Sequence, residues 1–388
     1  MDYRKYISSR VKEVEFSTIR HFFNLVYQMP DAISLCIGEP DFVTPSHIRE
    51  AAKKSLDLGK TGYTPNPGLP ELRKAISDYL KDRFNLNYNP ESEIIVTIGA
   101  SEAIDMALRT IVNPGDEILI PTPSFIAYKP CTLLAGGIPI FVPTFPEDEF
   151  KLKKNVLEKY ITKNTKAIIL PYPNNPTGAV MTKDDLEEIA EVIEKYDLLV
   201  ISDEIYAELT YGVNHVSFAS IDGMKDRTIT INGFSKSFSM TGWRLGFIAA
   251  PEGLSKEILK VHQYSVTCAA SISQYAGIEA LKNGMKDIEE MREEYDKRRK
   301  FLYVSLIKMG FECFEPKGAF YIFPSIKKYR ISDTEFAERL LKEEKVAVVP
   351  GSAFGENGEG FIRIAYSTSM DNLKEAVIRL ENFTKRLK

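Results

Sequence analysis

Lys236 follows the apolar run Thr228 to Asn232 through Gly233-Phe234-Ser235, among small hydroxyl residues. Taken alone, a lysine so placed is more often a surface loop residue. In a partly dry pocket, however, it loses its proton more easily and attacks carbonyl carbons. Arg244 lies eight positions on, in Thr241-Gly242-Trp243-Arg244. A second apolar run, Leu198 to Ser202, ends in Asp203-Glu204 and then Tyr206. A carboxylate at a buried strand end needs a cation, whereas one at the surface merely caps the next segment. A third run, Lys166 to Leu170, leads into PYPNNPTG, where three prolines and a glycine stiffen the backbone around Asn175. A fourth, Ile94 to Ile98, runs into Gly99-Ala100-Ser101, where free N–H groups at a helix start and the Ser101 hydroxyl make an anion cradle or an ordinary cap.

These residues need elements to hold them. From Glu93 to Ala250, short apolar runs alternate with amphipathic segments. Strands are expected at Ile94–Ile98, Glu117–Ile120, Ile138–Val142, Lys166–Leu170, Leu198–Ser202 and Thr228–Asn232. Helices are expected at Ser101–Val112, Phe125–Ala135 and Lys183–Tyr196, the last with Leu186, Ile189, Ala190 and Ile193 on one face. Such alternation predicts an α/β fold whose mostly parallel sheet is covered by helices. In such a sheet ligands bind beyond the carboxyl ends of the strands, where all four polar groups fall. Past that region, a long charged helix at Lys286–Met309 is expected to expose a solvated face around a single apolar stripe. Apolar segments at Gly318–Phe323, Val346–Val349 and Phe361–Ala365, with helices near Thr334–Lys342 and Asp371–Lys385, suggest a smaller α+β domain. We expect a large domain over 46–282 and a small one over 1–45 and 283–388.

The 388 residues are 44% hydrophobic and 27% charged, ordinary globular values that permit a large core. Lys and Arg total 50 against 54 for Asp and Glu, a net charge of −4, so nothing points to nucleic acid. Four isolated cysteines (Cys36, Cys131, Cys268, Cys313) and four histidines offer no Cys-x-x-Cys pair, so no metal site is expected. No apolar run is long enough to cross a bilayer, and the charged Met1–Phe16 segment lacks a signal-peptide core. A soluble, cytoplasmic protein is expected.

Four strand ends thus offer an anion cradle, an acid, an amide and a lysine, the set that pyridoxal phosphate requires. The chain resembles the class I/II aminotransferases, the fold-type-I pyridoxal phosphate enzymes, along nearly its whole length. The resemblance is carried by GFSKSFSMTGWRLG at Gly233–Gly246, NNPTG at Asn174–Gly178 with Pro173 before it, and SDEIY at Ser202–Tyr206. SLCIGEPDF at Ser34–Phe42, GYTPNPGLPELR at Gly62–Arg73 and FIRIAYS around Arg363 add to it.

The resemblance implies roles. Lys236 would hold pyridoxal 5'-phosphate as a Schiff base, and Asp203 would pair with the ring nitrogen. Tyr206 and Asn175 would bind the phenolic oxygen, and Phe125 would stack on the ring. Ala100, Ser101, Ser235 and Arg244 would bind the phosphate, with Tyr63 reaching the phosphate of a neighbouring subunit in a homodimer. Arg363, with Asn175 and the backbone of Gly38, would grip the α-carboxylate of an amino acid or keto acid, a task suited to a planar fork. The catalytic set would be Lys236, Asp203 and Tyr206, with Lys236 moving the α-proton in a ping-pong exchange with 2-oxoglutarate.

For the substrate, KVHQYSVTCAASISQ at Lys260–Gln274 and GAFYIFPSIK at Gly318–Lys327 are similar to the N-acetyl-L,L-diaminopimelate aminotransferases of lysine biosynthesis. Aromatic or aspartate transamination is the alternative, with Phe16, Tyr128 and Tyr321 lining an apolar pocket. The glycine turn is followed by Ala100-Ser101-Glu102 and lacks the lysine of some aspartate-using relatives. Carbon–sulfur lyases and cyclopropane-forming synthases share the lysine, acid and arginine positions. A ligand-sensing domain of a transcription regulator would need a DNA-binding module before Ser34, where the pattern already begins.

Overall fold

The computed structural model describes residues 1–16, 29 and 31–387. Its centre is a seven-stranded sheet formed by β2 (Ile94–Thr97), β3 (Glu117–Thr122), β4 (Ile138–Pro143), β5 (Thr165–Leu170), β6 (Leu199–Asp203), β7 (Thr228–Gly233) and β8 (Gly246–Ala249). In space the order is β2-β8-β7-β6-β5-β3-β4. Only β8 runs against its neighbours, β2 and β7. The carboxyl ends of β2, β5, β6 and β7 therefore share one edge, which is where the sequence places its lysine, acid, amide and anion cradle.

Alternation along each strand assigns its two faces. Ile118, Ile120, Ala167, Ile169 and Ile201 point into one hydrophobic layer, while Leu119, Ile168, Leu170 and Val200 point into the other. Both faces are apolar because both are covered, as a parallel sheet requires. Helices α1 (Ser46–Asp57), α2 (Pro70–Phe84), α3 (Gly99–Ile111), α4 (Tyr128–Ala135) and α5 (Lys183–Lys195) supply part of that cover. On α3, Ala103, Ile104, Ala107, Leu108 and Ile111 are buried. Thr182 starts α5 with a capping box: its hydroxyl accepts from Asp185 N at 3.2 Å, and Asp185 Oδ2 accepts from Thr182 N at 3.0 Å. Losing such a cap costs about 1 kcal/mol.

The alternation predicted all of these strands except β8. Its four residues carry no readable period, and they follow directly on the Arg244 loop. The helix expected from Phe125 begins instead at Tyr128, leaving Phe125 in the turn before it. One-turn α6 (Phe234–Ser237) follows β7, then α7 (Glu252–Ser265), α8 (Ser271–Asn283) and α9 (Met285–Lys308).

The C-terminal part combines antiparallel β9 (Tyr321–Ile322), β11 (Val349–Pro350) and β12 (Ile362–Ala365) with α10 (Asp333–Glu344) and α11 (Met370–Arg386). Here β1 (Ile33–Ser34) pairs in parallel with β10 (Val346–Ala347), tying the N-terminal segment to this part of the chain. α9 carries a single buried stripe, as expected, but the stripe is not wholly apolar. Beside Ile288, Met291, Tyr295, Leu302 and Leu306, both Arg298 and Arg299 lie on the buried side. Each is buried because it is paired. Arg298 Nη1 reaches both Asp41 oxygens, at 2.8 and 2.9 Å, and Arg299 Nη1 reaches Glu315 Oε1 at 2.7 Å. Among the described residues no helix is long and apolar enough to cross a membrane.

Candidate active site

A cavity of about 640 Å³ opens beyond the shared strand edge. Gly38, Ala100, Ser101, Phe125, Asn175, Asp203, Tyr206, Ser235, Lys236, Arg244 and Arg363 all line it, so the fold gathers these expected site residues from distant parts of the sequence. Tyr63 is the exception. It is 90% exposed and does not line the cavity of its own chain. Phe16 is also fully exposed and lines no part of the cavity, which corrects the expectation that it walls an apolar pocket.

Asp203 is the last residue of β6 and is buried. Its Oδ2 accepts from the Tyr128 hydroxyl at 2.7 Å, and its Oδ1 accepts from Ile205 N at 3.3 Å. Burial pushes its carboxyl up to about 6, against the pull of these two donors and of Lys236. Lys236 sits on α6, and its Nζ donates to the Gly38 carbonyl at 2.6 Å. Burial brings its ammonium down to about 8, so an appreciable neutral fraction exists near neutrality. The acid and the amine are thus pushed toward each other from opposite ends of the scale, the pattern of a proton-handling site.

The anion cradle is built from strand, turn and helix. Gly99 has φ +72°, and a Cβ there would lie 2.8 Å from Arg244 Nη2. Only glycine lets the guanidinium lie so close to the first turn of α3, whose leading N–H groups have no partner within the helix. A guanidinium against the positive end of a helix is unfavourable unless an anion joins them. Ser101 and Ser235 add hydroxyls to this donor-rich corner. The donor set suits a phosphate.

On the opposite side, Arg363 Nη1 donates to Asn175 Oδ1 at 2.9 Å, and Nη2 donates to the Cys36 carbonyl. Its Nε is buried with no hydrogen-bond partner among the described residues. The guanidinium lies 4.5 Å from the Tyr321 ring centre and 4.9 Å from that of Phe354. A buried, still under-satisfied fork of this kind is ready to take a carboxylate. Tyr206 does not point alone into the cavity, because its hydroxyl is 2.8 Å from that of Tyr321. Phe125 packs edge-on to Tyr128, with ring centres 5.7 Å apart.

Two residues carry more of the site than the sequence indicated. Tyr128, read from the sequence as a pocket-lining aromatic, does line the cavity, and its hydroxyl also serves Asp203. Glu204, beside the acid, is also buried. It accepts from Ser202 Oγ at 2.8 Å and Ser217 Oγ at 2.7 Å, and pairs with His215 Nε2 at 2.9 Å. Of the two adjacent acids, Asp203 lines the cavity and Glu204 does not. No group of three or more His, Cys, Asp or Glu side chains that could hold a metal occurs among the described residues.

The sheet order and the cavity at its carboxyl edge define an α/β protein that gathers a lysine, an acid, an amide and a donor-rich anion cradle in one site. Residues 30–380 match the family model for aminotransferase class I and II, and the chain belongs to that family. It is a pyridoxal 5'-phosphate-dependent aminotransferase of fold type I. An aspartate aminotransferase of Pyrococcus abyssi is 51% identical, over 98% of this chain and 99% of its own. A protein described as a probable N-acetyl-LL-diaminopimelate aminotransferase of Bacillus subtilis is 49% identical, over 97% and 95%. The crystal structure of an aromatic aminotransferase from Pyrococcus horikoshii is 50% identical, with a TM-score of 0.90 over 95% of this chain and 99% of that one.

Proposed function

We propose that the enzyme transfers the amino group of an L-amino acid to 2-oxoglutarate, and that its donor carries a mainly neutral, apolar or aromatic side chain. One observation supports this side-chain preference. Among the described residues the cavity is lined by three cationic side chains, Lys236, Arg244 and Arg363, and each is already matched to a task. Lys236 is matched to the cofactor carbonyl, Arg244 to the phosphate and Arg363 to the α-carboxylate. Among the described residues no further lysine or arginine lines it, so a distal carboxylate, that of 2-oxoglutarate included, would have to rely on uncharged donors, whereas an apolar or aromatic side chain needs none. The remaining wall includes Ile104, Phe125, Ile126, Ile205 and Tyr321.

Pyridoxal 5'-phosphate, when bound, supplies an electron sink for the pair left behind when the α-proton departs. The chain's residues do the rest. Ala100, Ser101, Ser235 and Arg244 would hold the phosphate. Asp203 would hold the ring nitrogen, and Tyr206 and Asn175 the phenolic oxygen, with Phe125 against the ring. Arg363 and Asn175 orient the substrate by its α-carboxylate, next to Gly38. Lys236, neutral in a useful fraction, would take the proton from the α-carbon and return it to the carbon on the far side of the substrate nitrogen, acting as base and then acid.

A second reading, transamination of N-acetyl-L,L-diaminopimelate, is favoured by the 49% identical Bacillus subtilis relative and by the Lys260–Gln274 and Gly318–Lys327 segments. That substrate would lay its methylene chain along the same wall and bring a distal acetamido carboxylate, for which no further lysine or arginine lines the cavity among the described residues. We also infer a homodimer in which exposed Tyr63 reaches a neighbouring phosphate, and a division into 46–282 and 1–45 with 283–388. The pairing of Ile33–Ser34 with Val346–Ala347 supports that division. The four unpaired cysteines are in keeping with a cytoplasmic location.

The test is a spectrum of the purified protein with pyridoxal phosphate, followed by L-glutamate and then a donor panel. The band of the lysine-linked cofactor should give way to that of the aminated cofactor. With 2-oxoglutarate as acceptor, phenylalanine and tyrosine should exceed aspartate in kcat/KM. N-acetyl-L,L-diaminopimelate exceeding all of them would establish the second reading, and aspartate exceeding all would refute both. Pyruvate and ammonia in place of a 2-oxo acid would indicate lyase chemistry. Sedimentation at low protein concentration tests the dimer.

A further inference from the structure

Tyr321 lies within the buried segment Gly318–Ile326 and begins β9. It lines the cavity, yet its hydroxyl is not free within it. That hydroxyl is 2.8 Å from the Tyr206 hydroxyl. A Cβ on Gly38 would sit 2.7 Å from the same oxygen, so the glycine is what allows Tyr321 its place. Its ring lies 4.5 Å from the Arg363 guanidinium. One side chain therefore touches a residue assigned to the cofactor, Tyr206, and two assigned to the substrate carboxylate, Gly38 and Arg363.

We propose that Tyr321 is a positioning residue that couples the cofactor side of the site to its carboxylate side. Its hydroxyl donates to the Tyr206 oxygen, which leaves the Tyr206 proton free for the cofactor's phenolic oxygen. Its ring holds the Arg363 guanidinium flat. The inference rests on the roles given above to Tyr206 and Arg363.

The direction of the hydroxyl pair follows from what each oxygen must do. If Tyr206 donated to Tyr321, it would have no proton left for a phenolic oxygen. With Tyr321 as donor, the two bonds run in series and strengthen each other. Burial raises the phenol groups of both tyrosines, so both keep their protons through the working pH range. The ring has a separate task. Among the described residues Arg363 Nε has no hydrogen-bond partner, so the plane of the guanidinium is fixed by Nη1, Nη2 and the flanking rings of Tyr321 and Phe354.

Two variants of the holoenzyme separate the tasks. Tyr321→Phe removes the hydroxyl and keeps the ring. The pH midpoint of the cofactor absorbance band should rise by a few tenths of a unit, because the phenolic oxygen loses part of its support. kcat should fall, while KM for the amino acid stays within about twofold. Tyr321→Leu also removes the ring. The dissociation constant of 3-phenylpropionate, a carboxylate that cannot react, should then rise about threefold or more, and KM with it. A wild-type midpoint in Tyr321→Phe, or wild-type 3-phenylpropionate binding in Tyr321→Leu, overturns the coupling. Tyr206→Phe and Arg363→Lys serve as controls. If they leave the midpoint and the binding unchanged, the underlying assignments fail. If they change both and the Tyr321 variants change neither, only the coupling fails.

Discussion

The Tyr128 hydroxyl donates to Asp203 Oδ2 over 2.7 Å, so the carboxylate at the end of β6 has a donor from the chain itself before any ligand arrives. That bond works against the burial that raises the carboxyl to about 6. In its proposed role Asp203 must be ionised to attract a protonated ring nitrogen, and Tyr128 would thereby help to set the pH range in which the apoprotein captures its cofactor.

Removing the donor should move that range. Above about pH 6 Asp203 is mostly ionised, and below it mostly neutral. In Tyr128→Phe the ionised form loses a hydrogen bond, so the carboxyl rises further, by about one unit. Cofactor association by the apoprotein, followed by absorbance from pH 5 to 8, should show its midpoint displaced upward in the variant. An unchanged midpoint would mean that capture does not depend on the charge of Asp203.

Replacing the acid itself tests its role once the cofactor is bound. An amide cannot hold a proton on the ring nitrogen as a carboxylate does. Asp203→Asn should lower kcat by about 10²–10³-fold, with an unaltered circular dichroism spectrum. A rate within a few-fold of wild type would remove the acid from the mechanism.

Asp203, Lys236, Asn175 and the Gly99 turn were legible in the sequence because each follows an apolar strand, and a parallel sheet sends all such ends to one edge. The β8 strand was not legible. Gly246–Ala249 has no hydrophobic period of its own, and its antiparallel place between β2 and β7 is decided by pairing that no local pattern encodes. Tyr128 and Tyr321 escaped for another reason. Their rings read as core or pocket wall, whereas their function lies in hydroxyls whose partners, Asp203 and Tyr206, are 75 and 115 positions away. Arg298 and Arg299 likewise read as solvent-facing charges until Asp41 and Glu315 arrive to pair them.

Lys236 should be indispensable for turnover yet a burden on the unliganded fold. Its ammonium is brought down to about 8 from the usual 10.5. In the apoprotein the folded state therefore resists the charged form, fully below pH 8 and progressively less as the pH rises toward 10.5. Lys236→Met should abolish amino transfer. Its apoprotein should melt above the wild-type apoprotein at pH 7, and the gap should narrow between pH 8 and 10.5. A gap that is constant with pH would mean the lysine is not strained by burial, and retained transamination would displace it as the proton carrier.

A second pH effect lies away from the cavity. His47 on α1 places Nδ1 2.8 Å from Glu279 Oε1 on α8, and Nε2 3.0 Å from Asp287 Oδ2 on α9, so that one ring joins three helices. Partial burial of the ring disfavours the imidazolium, but the two carboxylates outweigh it and raise the pKa above 6.5. A base raised by folding contributes stability that is fully present below its unfolded pKa and is lost as the pH climbs through the higher folded value. The groups are about a third exposed, so water screens the pairs and the contribution stays below about 1 kcal/mol. His47→Gln should therefore lower the melting temperature by a degree or two near pH 6 and by nothing near pH 9, and added salt should shrink the difference at pH 6. A deficit of equal size at both pH values would show that His47 contributes through packing alone.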